Sequence, residues 1–261
     1  MNWIRLAIVL SAPLVTLHAQ VTLSGTSYFQ DFNTLGSGLP AGWTVSTGAT
    51  STTFGSSVDF ASTKTDWSAT LATEPLNFRN ISSANILSTS SSVTQSANTN
   101  RALGWRPATA DSRNGAVTFA INNSIGLSNF TLSLTLFSPN NVSMDQTYAV
   151  EYRVGNSGTF TQIGATYTTG NVFDATTITA NSVTLAALNN QANPIYIRVR
   201  GTTSSGTNGS GLDVLGIDDF SLSYAAVPEP ATTVAIVAGA ALLGAALYRR
   251  RSRGTPVPAR G

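Results

Sequence analysis

No cysteine occurs in the 261 residues, so the chain has neither disulfides nor thiolate chemistry. A domain of about 200 residues can hold itself by packing and sheet hydrogen bonds alone. Histidine is nearly as scarce: the single one, His18, lies in the apolar N-terminal segment. Without that segment the chain can build no Ser-His-Asp or Cys-His site and no ordinary His/Cys zinc site. Basic runs are lacking from the middle of the chain. Arg5, Arg249, Arg250, Arg251, Arg253 and Arg260 are all terminal, so residues 20–226 hold eight Lys and Arg against eleven Asp and Glu, although the whole chain carries a formal +2. A domain near −3 without clustered cations is a poor match for phosphate, which argues against a nucleic-acid partner. Also missing are an internal repeat and, before residue 227, any amphipathic helix of ten or more residues.

The two ends carry the clearest patterns. "MNWIRLAIVLSAPLVTLHAQ" has an early Arg5, an apolar run from Leu6 to Leu17 and a small residue at Ala19. It reads as a signal peptide, residues 1–19, cleaved after Ala19; a buried helix or strand is the alternative. Near the other end, residues 231–248 carry no charge. At about 1.5 Å per residue a helix of that length spans roughly 27 Å, enough for a bilayer core. A single C-terminal transmembrane helix is predicted. It is weakly apolar, being mostly Ala, Gly and Thr around six Val, Ile and Leu. Arg249, Arg250, Arg251 and Arg253 then act as a stop-transfer cluster that keeps the 254–261 tail cytoplasmic. The expected location is therefore outside the membrane for residues 20–226, anchored at least transiently in the cell envelope. Ahead of the span, Pro228 and Pro230 bias Val227 and Glu229 toward extended backbone.

The order Val227-Pro228-Glu229-Pro230, apolar span, arginine cluster resembles the bacterial PEP-CTERM sorting signal over residues 227–253. The resemblance implies a membrane-embedded, exosortase-type processing enzyme as partner. It also implies delivery to the cell surface or an exopolysaccharide or biofilm matrix, anchored or released. "GTPVPARG" runs on past the arginines, where that signal usually stops.

Between the ends, apolar and polar residues alternate with a period of two. In "YAVEYRV", Val150, Tyr152 and Val154 share one face and Glu151 and Arg153 the other. "IYIRVR" sets Ile195, Ile197 and Val199 against Tyr196, Arg198 and Arg200, and "FTLSLTLF" sets Leu132, Leu134 and Leu136 against hydroxyls. Such strands have one face on a core and one in water. "VTFAI" and "IDDFSLSY" read as further strands. "VGNSGTF" reads as a hairpin, and "RNISSANILSTSSSVTQSANTN" as a long polar loop around a short strand. The predicted class is all-β, an antiparallel jelly-roll-like β-sandwich over residues 20–226. The segments "FQDFNTLG…LPAGW", "NRALGW" and "GIDDFSLS", in that order, resemble a loose group of secreted bacterial jelly-roll domains with sorting signals. Laminin-G-like, MAM-like and carbohydrate-binding modules share that architecture, and architecture does not fix function.

Three readings of function follow. The first is a non-enzymatic exported surface or matrix protein. The second is a carbohydrate-binding module displayed the same way. The third is a carboxylate-dependent glycan hydrolase, since only paired carboxylates remain for catalysis. Asp218 and Asp219 cannot form one dyad, because neighbours on a strand point to opposite faces; a distant partner such as Asp31 or Glu151 would be needed. Asp218, which must either be hydrogen-bonded or find a cation, is with Asp31 a candidate Ca²⁺ ligand. Trp43 reads as core, whereas Trp67 and Trp105 are either core or platforms for sugar rings. Tyr196, Arg198 and Arg200 form one exposed row, a solvated sheet face or a binding row for acidic polysaccharide.

Overall fold

The computed structural model describes residues 19–67, 77–84, 86, 89–107, 114–139, 145–170, 174–204 and 213–227. They form a sandwich of two β-sheets. One sheet has six strands, in the order β10 (Thr161–Thr168), β9 (Gln146–Val154), β12 (Ile195–Ser204), β7 (Ala116–Ile121), β2 (Trp43–Thr47), β3 (Ser56–Ser57), and all its pairings are antiparallel. The other has seven: β11 (Asp174–Ala180), β8 (Leu127–Ser138), β13 (Leu215–Ala226), β6 (Arg101–Arg106), β5 (Asn77–Ser82) and β4 (Phe60–Ala61), with β1 (Ser27–Gln30) also on β13. Strands β4 and β5 pair in parallel.

Period-two alternation builds the shared core. Val117, Phe119 and Ile121 of β7 and Ile195, Ile197 and Val199 of β12 meet Leu132, Leu134 and Leu136 of β8 across the interior. Strand β13 departs from strict alternation: its inward set runs Leu215, Ile217, then Phe220, Leu222, Tyr224. The extra residue falls at Asp218-Asp219, where Asp219 takes a left-handed backbone with φ of 50°. There the strand also changes neighbour, from β6 over Leu215–Ile217 to β1 over Phe220–Ser223. An inserted residue of this kind re-aims the chain while keeping both halves on one core.

The motifs "LPAGW", "NRALGW" and "GIDDFSLS" have a packing reason. A β-carbon on Gly42, Gly104 or Gly216 would come within 2.5 Å or less of Val21, Ile81 or Phe137 respectively.

Both outer faces are partly covered, contrary to the expectation of one wet face per strand. Phe54, Phe160 and Tyr196 cluster with Ala120 outside the six-stranded sheet. Trp67, Ile81, Ala102, Phe137 and Val214 do so outside the seven-stranded one. The stretch expected to be a polar loop contains, after β5, a short helix α1 (Ser92–Ala97). Ser91 caps it, its Oγ accepting from the Thr94 amide. Its buried Gln95 accepts from the Trp67 amide at 2.8 Å and donates to the Ser90 carbonyl. Among the described residues no helix is long and apolar enough to cross a membrane. Residues 1–18, Pro228, Glu229, Pro230, the predicted span 231–248 and Arg249, Arg250, Arg251 and Arg253 lie outside the described residues. Of the terminal sites only Ala19 and Val227 are described, both exposed.

Candidate functional site

The row Tyr196, Arg198, Arg200 does not lie open to solvent: Tyr196 and Arg198 are buried and Arg200 is half-buried. Residues 50–54 fold over this face and turn their backbone carbonyls inward. Arg198 donates to the carbonyls of Thr53 at 2.8 Å and Thr50 at 2.6 Å, and Arg153 to that of Thr52 at 2.9 Å. Arg153 also donates to the carbonyls of Gly155, Asn156 and Gly158 in the β9–β10 turn. Glu151 sits between Arg198 and Arg200 and pairs with each at 2.7 Å. Beneath the guanidinium groups lie rings: Arg198 stacks 3.4 Å from the centre of Phe160, and Arg153 lies 4.3 Å from both Phe54 and Phe160. Burial draws the Arg198 guanidinium down to about 10, opposed by the Glu151 charge, so it stays cationic at neutral pH. Every element is internally satisfied, and the row is a clamp for the 50–54 loop. Period-two reasoning placed these side chains on the outward face correctly; it missed the loop that covers them.

Neither Trp67 nor Trp105 is a surface platform. Trp67 is buried in the outer cluster with Ile81 and Phe137. Trp105 is buried in the main core, stacked on Phe78 at 5.2 Å and edge-on to Tyr148 at 5.4 Å. The polar neighbours in sequence suggested exposure, while the indoles themselves offer a large apolar area for burial. Trp43 is core, as its context suggests, and its Nε1 donates to the Tyr28 hydroxyl at 2.9 Å.

Asp218 is buried and Asp219 exposed. The Asp218 carboxyl accepts from the Ser83 hydroxyl and from the Asp219 amide. Burial pushes it up to about 7, reinforced by the negative charges of Asp219 and Asp31. Asp31 is thus brought into the electrostatic neighbourhood of Asp218, with its own carboxylate accepting from the amide and side chain of Asn33. Among the described residues no group of three or more His, Cys, Asp or Glu gathers in metal-binding range.

An open cleft of about 410 Å³ lies where the two sheets come together at one side of the sandwich. Thr131 and Leu132 of β8 and Thr179 and Ala180 of β11 form one wall, and Gly164 of β10 faces them. Gly164 marks a break in the β9–β10 register and has φ of 64°, a conformation that glycine adopts without strain. Asn181 and Thr184 close one end, the Asn181 side chain accepting from both the amide and the hydroxyl of Thr184. No lining residue carries a charge. The sequence holds a signal for this region that residue-type motifs overlook: residues 114–144, 154–173 and 175–197 contain no Asp, Glu, Lys or Arg.

The described residues thus form an all-β, two-sheet sandwich with partly covered outer faces and an uncharged lateral cleft. No protein-family model and no curated protein sequence matches it. Solved structures of similar architecture include a xylan-binding domain of carbohydrate-binding family 22, at 13% identity over 78% of this chain and 97% of that one, TM-score 0.42. A cleaved adhesin domain of Lys-gingipain from Porphyromonas gingivalis is 11% identical over 75% and 98%, TM-score 0.41. A CBM22-1 xylan-binding domain from Paenibacillus barcinonensis is 11% identical over 77% and 94%, TM-score 0.38.

Proposed function

We propose that the chain is an exported, non-enzymatic protein whose jelly-roll-like sandwich is displayed at the cell surface or in an exopolysaccharide matrix, and is sorted there by the PEP-CTERM signal of residues 227–253. The observation that carries this reading is the junction: β13 runs through Ala226, so the sandwich is complete one residue before Pro228-Glu229-Pro230. A cut in that motif would release a whole domain. Mass analysis of the C-terminal peptide from native cells is expected to find a chain ending near this motif. A chain still ending at Gly261 would make residues 231–248 a permanent anchor and overturn the processing step.

What the displayed domain does is best read as binding polysaccharide, the role of a carbohydrate-binding module. The supporting observation is the lateral cleft, which combines hydroxyl and amide groups with apolar ones and has no charge. Catalysis finds no support in the same geometry. Asp218 is engaged by Ser83 and Asp219 beneath the surface, and Glu151 is held by two arginines. Neither carboxylate is presented with a partner across an open space, as glycoside hydrolysis requires.

A further inference from the structure

We propose that the cleft between β8, β10 and β11 is the polysaccharide site, and that it selects uncharged polymers over acidic ones; this rests on the carbohydrate-binding reading above.

Pockets that bind small organic ligands span roughly 300–1,000 Å³ and combine apolar walls with a few placed polar groups. The cleft, at about 410 Å³, has that size and that mixture. Leu132 and Ala180, nearly buried, supply an apolar base. Thr131, Thr179, Asn181 and Thr184 are exposed around it and present hydroxyl and amide groups. A pyranose ring has matching parts: carbon–hydrogen faces for the base, hydroxyls for the rim. Hydroxyl and amide groups both donate and accept, so they satisfy a neutral sugar without leaving a buried charge.

The electrostatics decide the class of polymer. β8, β10 and residues 175–197 contain no lysine or arginine, and the three arginines of the six-stranded sheet's outer face are consumed by Glu151 and by carbonyl oxygens. An acidic polymer would lose its hydration at the cleft with no cation to replace it. A neutral polymer incurs no such loss. The row Tyr196, Arg198, Arg200 is thus unavailable to an acidic polysaccharide, and the lining of the accessible cleft carries no charge.

The test is affinity electrophoresis of the full-length chain in detergent micelles, through gels containing hydroxyethyl cellulose, galactomannan or alginate. The wild type is expected to be retarded by at least one neutral polymer and not by alginate. Thr179→Arg and Thr184→Arg, both on exposed positions at the cleft, are expected to weaken retardation at least tenfold. Val183→Arg, on the same turn but outside the cleft and 83% exposed, should leave it unchanged. Thermal melts of each variant separate lost binding from lost folding, and Thr131→Arg provides a third variant from the neighbouring strand β8. Retardation that survives all three cleft variants would place the site elsewhere and overturn this inference while leaving the carbohydrate-binding reading standing. Retardation by alginate alone would overturn the selectivity. No retardation in any gel would overturn both.

Discussion

Buried charge on a covered face is met in opposite ways by Glu151 with its arginines and by Arg101 and Asp218. Outside the six-stranded sheet, charges neutralise one another: Glu151 lies between Arg198 and Arg200, and aromatic rings underlie Arg198 and Arg153. On the seven-stranded side, Arg101 and Asp218 are met by neutral partners. Arg101, the first residue of β6, donates to Asn80 Oδ1 and to the carbonyls of Thr65, Asn80, Gln95 and Asn98. It thereby ties β5, α1 and the 62–67 segment together with neutral acceptors. Asp218 rests on a hydroxyl and an amide, with only negative charges acting on it. A guanidinium with five donors can be satisfied by carbonyl oxygens alone, but a lone buried carboxyl lowers its cost by keeping its proton. The lesson is that the same residue types stabilise or burden a face according to what else folds over it.

The sharpest way to break the comparison is Glu151→Gln. It strands Arg198 and Arg200 without their counter-ion, and removing one partner of a buried ion pair costs about 3–5 kcal/mol. Urea unfolding should show the midpoint falling by the corresponding amount; an unchanged midpoint would mean the carbonyl cage alone holds the arginines.

Asp218→Asn should act in the opposite direction. With a folded value pushed up to about 7 from 3.8, the folded chain keeps a proton between those pH values that the unfolded chain has released. The stability this contributes is full below about pH 4 and is lost as pH rises through about 7. The amide variant cannot ionise, so at pH 8 it should be more stable than the wild type, on the order of a few kcal/mol. Melting curves recorded from pH 4 to 8 check this: the wild type should decline and the variant stay flatter. Parallel curves would place a cation beside Asp218.

Smaller effects distinguish the two devices further. Arg101→Lys keeps the charge but not the planar fork, and one buried acceptor left dry costs about 1–3 kcal/mol. Loss of protection at the α1 amides in hydrogen exchange should accompany it, because Gln95 and Asn98 carbonyls anchor that helix to β6. Phe54→Leu removes one ring from Arg153 and should cost about 0.5–2 kcal/mol. Limited proteolysis within residues 50–54 would report it, and cutting no faster than wild type would show that the carbonyl bonds suffice.

Much of the sandwich could be read in the chain. Alternation in "YAVEYRV", "IYIRVR" and "FTLSLTLF" located β9, β12 and β8 and assigned their inward faces, because side-chain direction in a strand follows from position parity alone. The hairpin at Gly155-Asn156-Ser157-Gly158 was legible from its turn residues, whereas the inserted residue at Asp218-Asp219 was not. What could not be read was the second layer of cover. Tyr196 and Arg198 read as part of an exposed row, and Trp67 and Trp105 as either core or platforms, yet each is buried by residues distant in the chain: Gln95 reaches Trp67 across 28 positions, and Thr50 reaches Arg198 across 148.

The candidate cleft was illegible for a related reason. Thr131, Gly164, Thr179 and Thr184 form no motif, and only the meeting of β8, β10 and β11 makes them neighbours. The chain's contribution was an absence of charge along whole spans, which constrains any ligand without locating it. By itself, then, the sequence determined the strands named above, their inward faces, the lack of His/Cys chemistry and the three long uncharged spans, since each depends on residue type or parity along one segment. Only the tertiary structure decided which outward faces meet water, which charges find partners and where the cleft opens. Burial is a property of what packs against a residue, and that is set by contacts the local sequence does not contain.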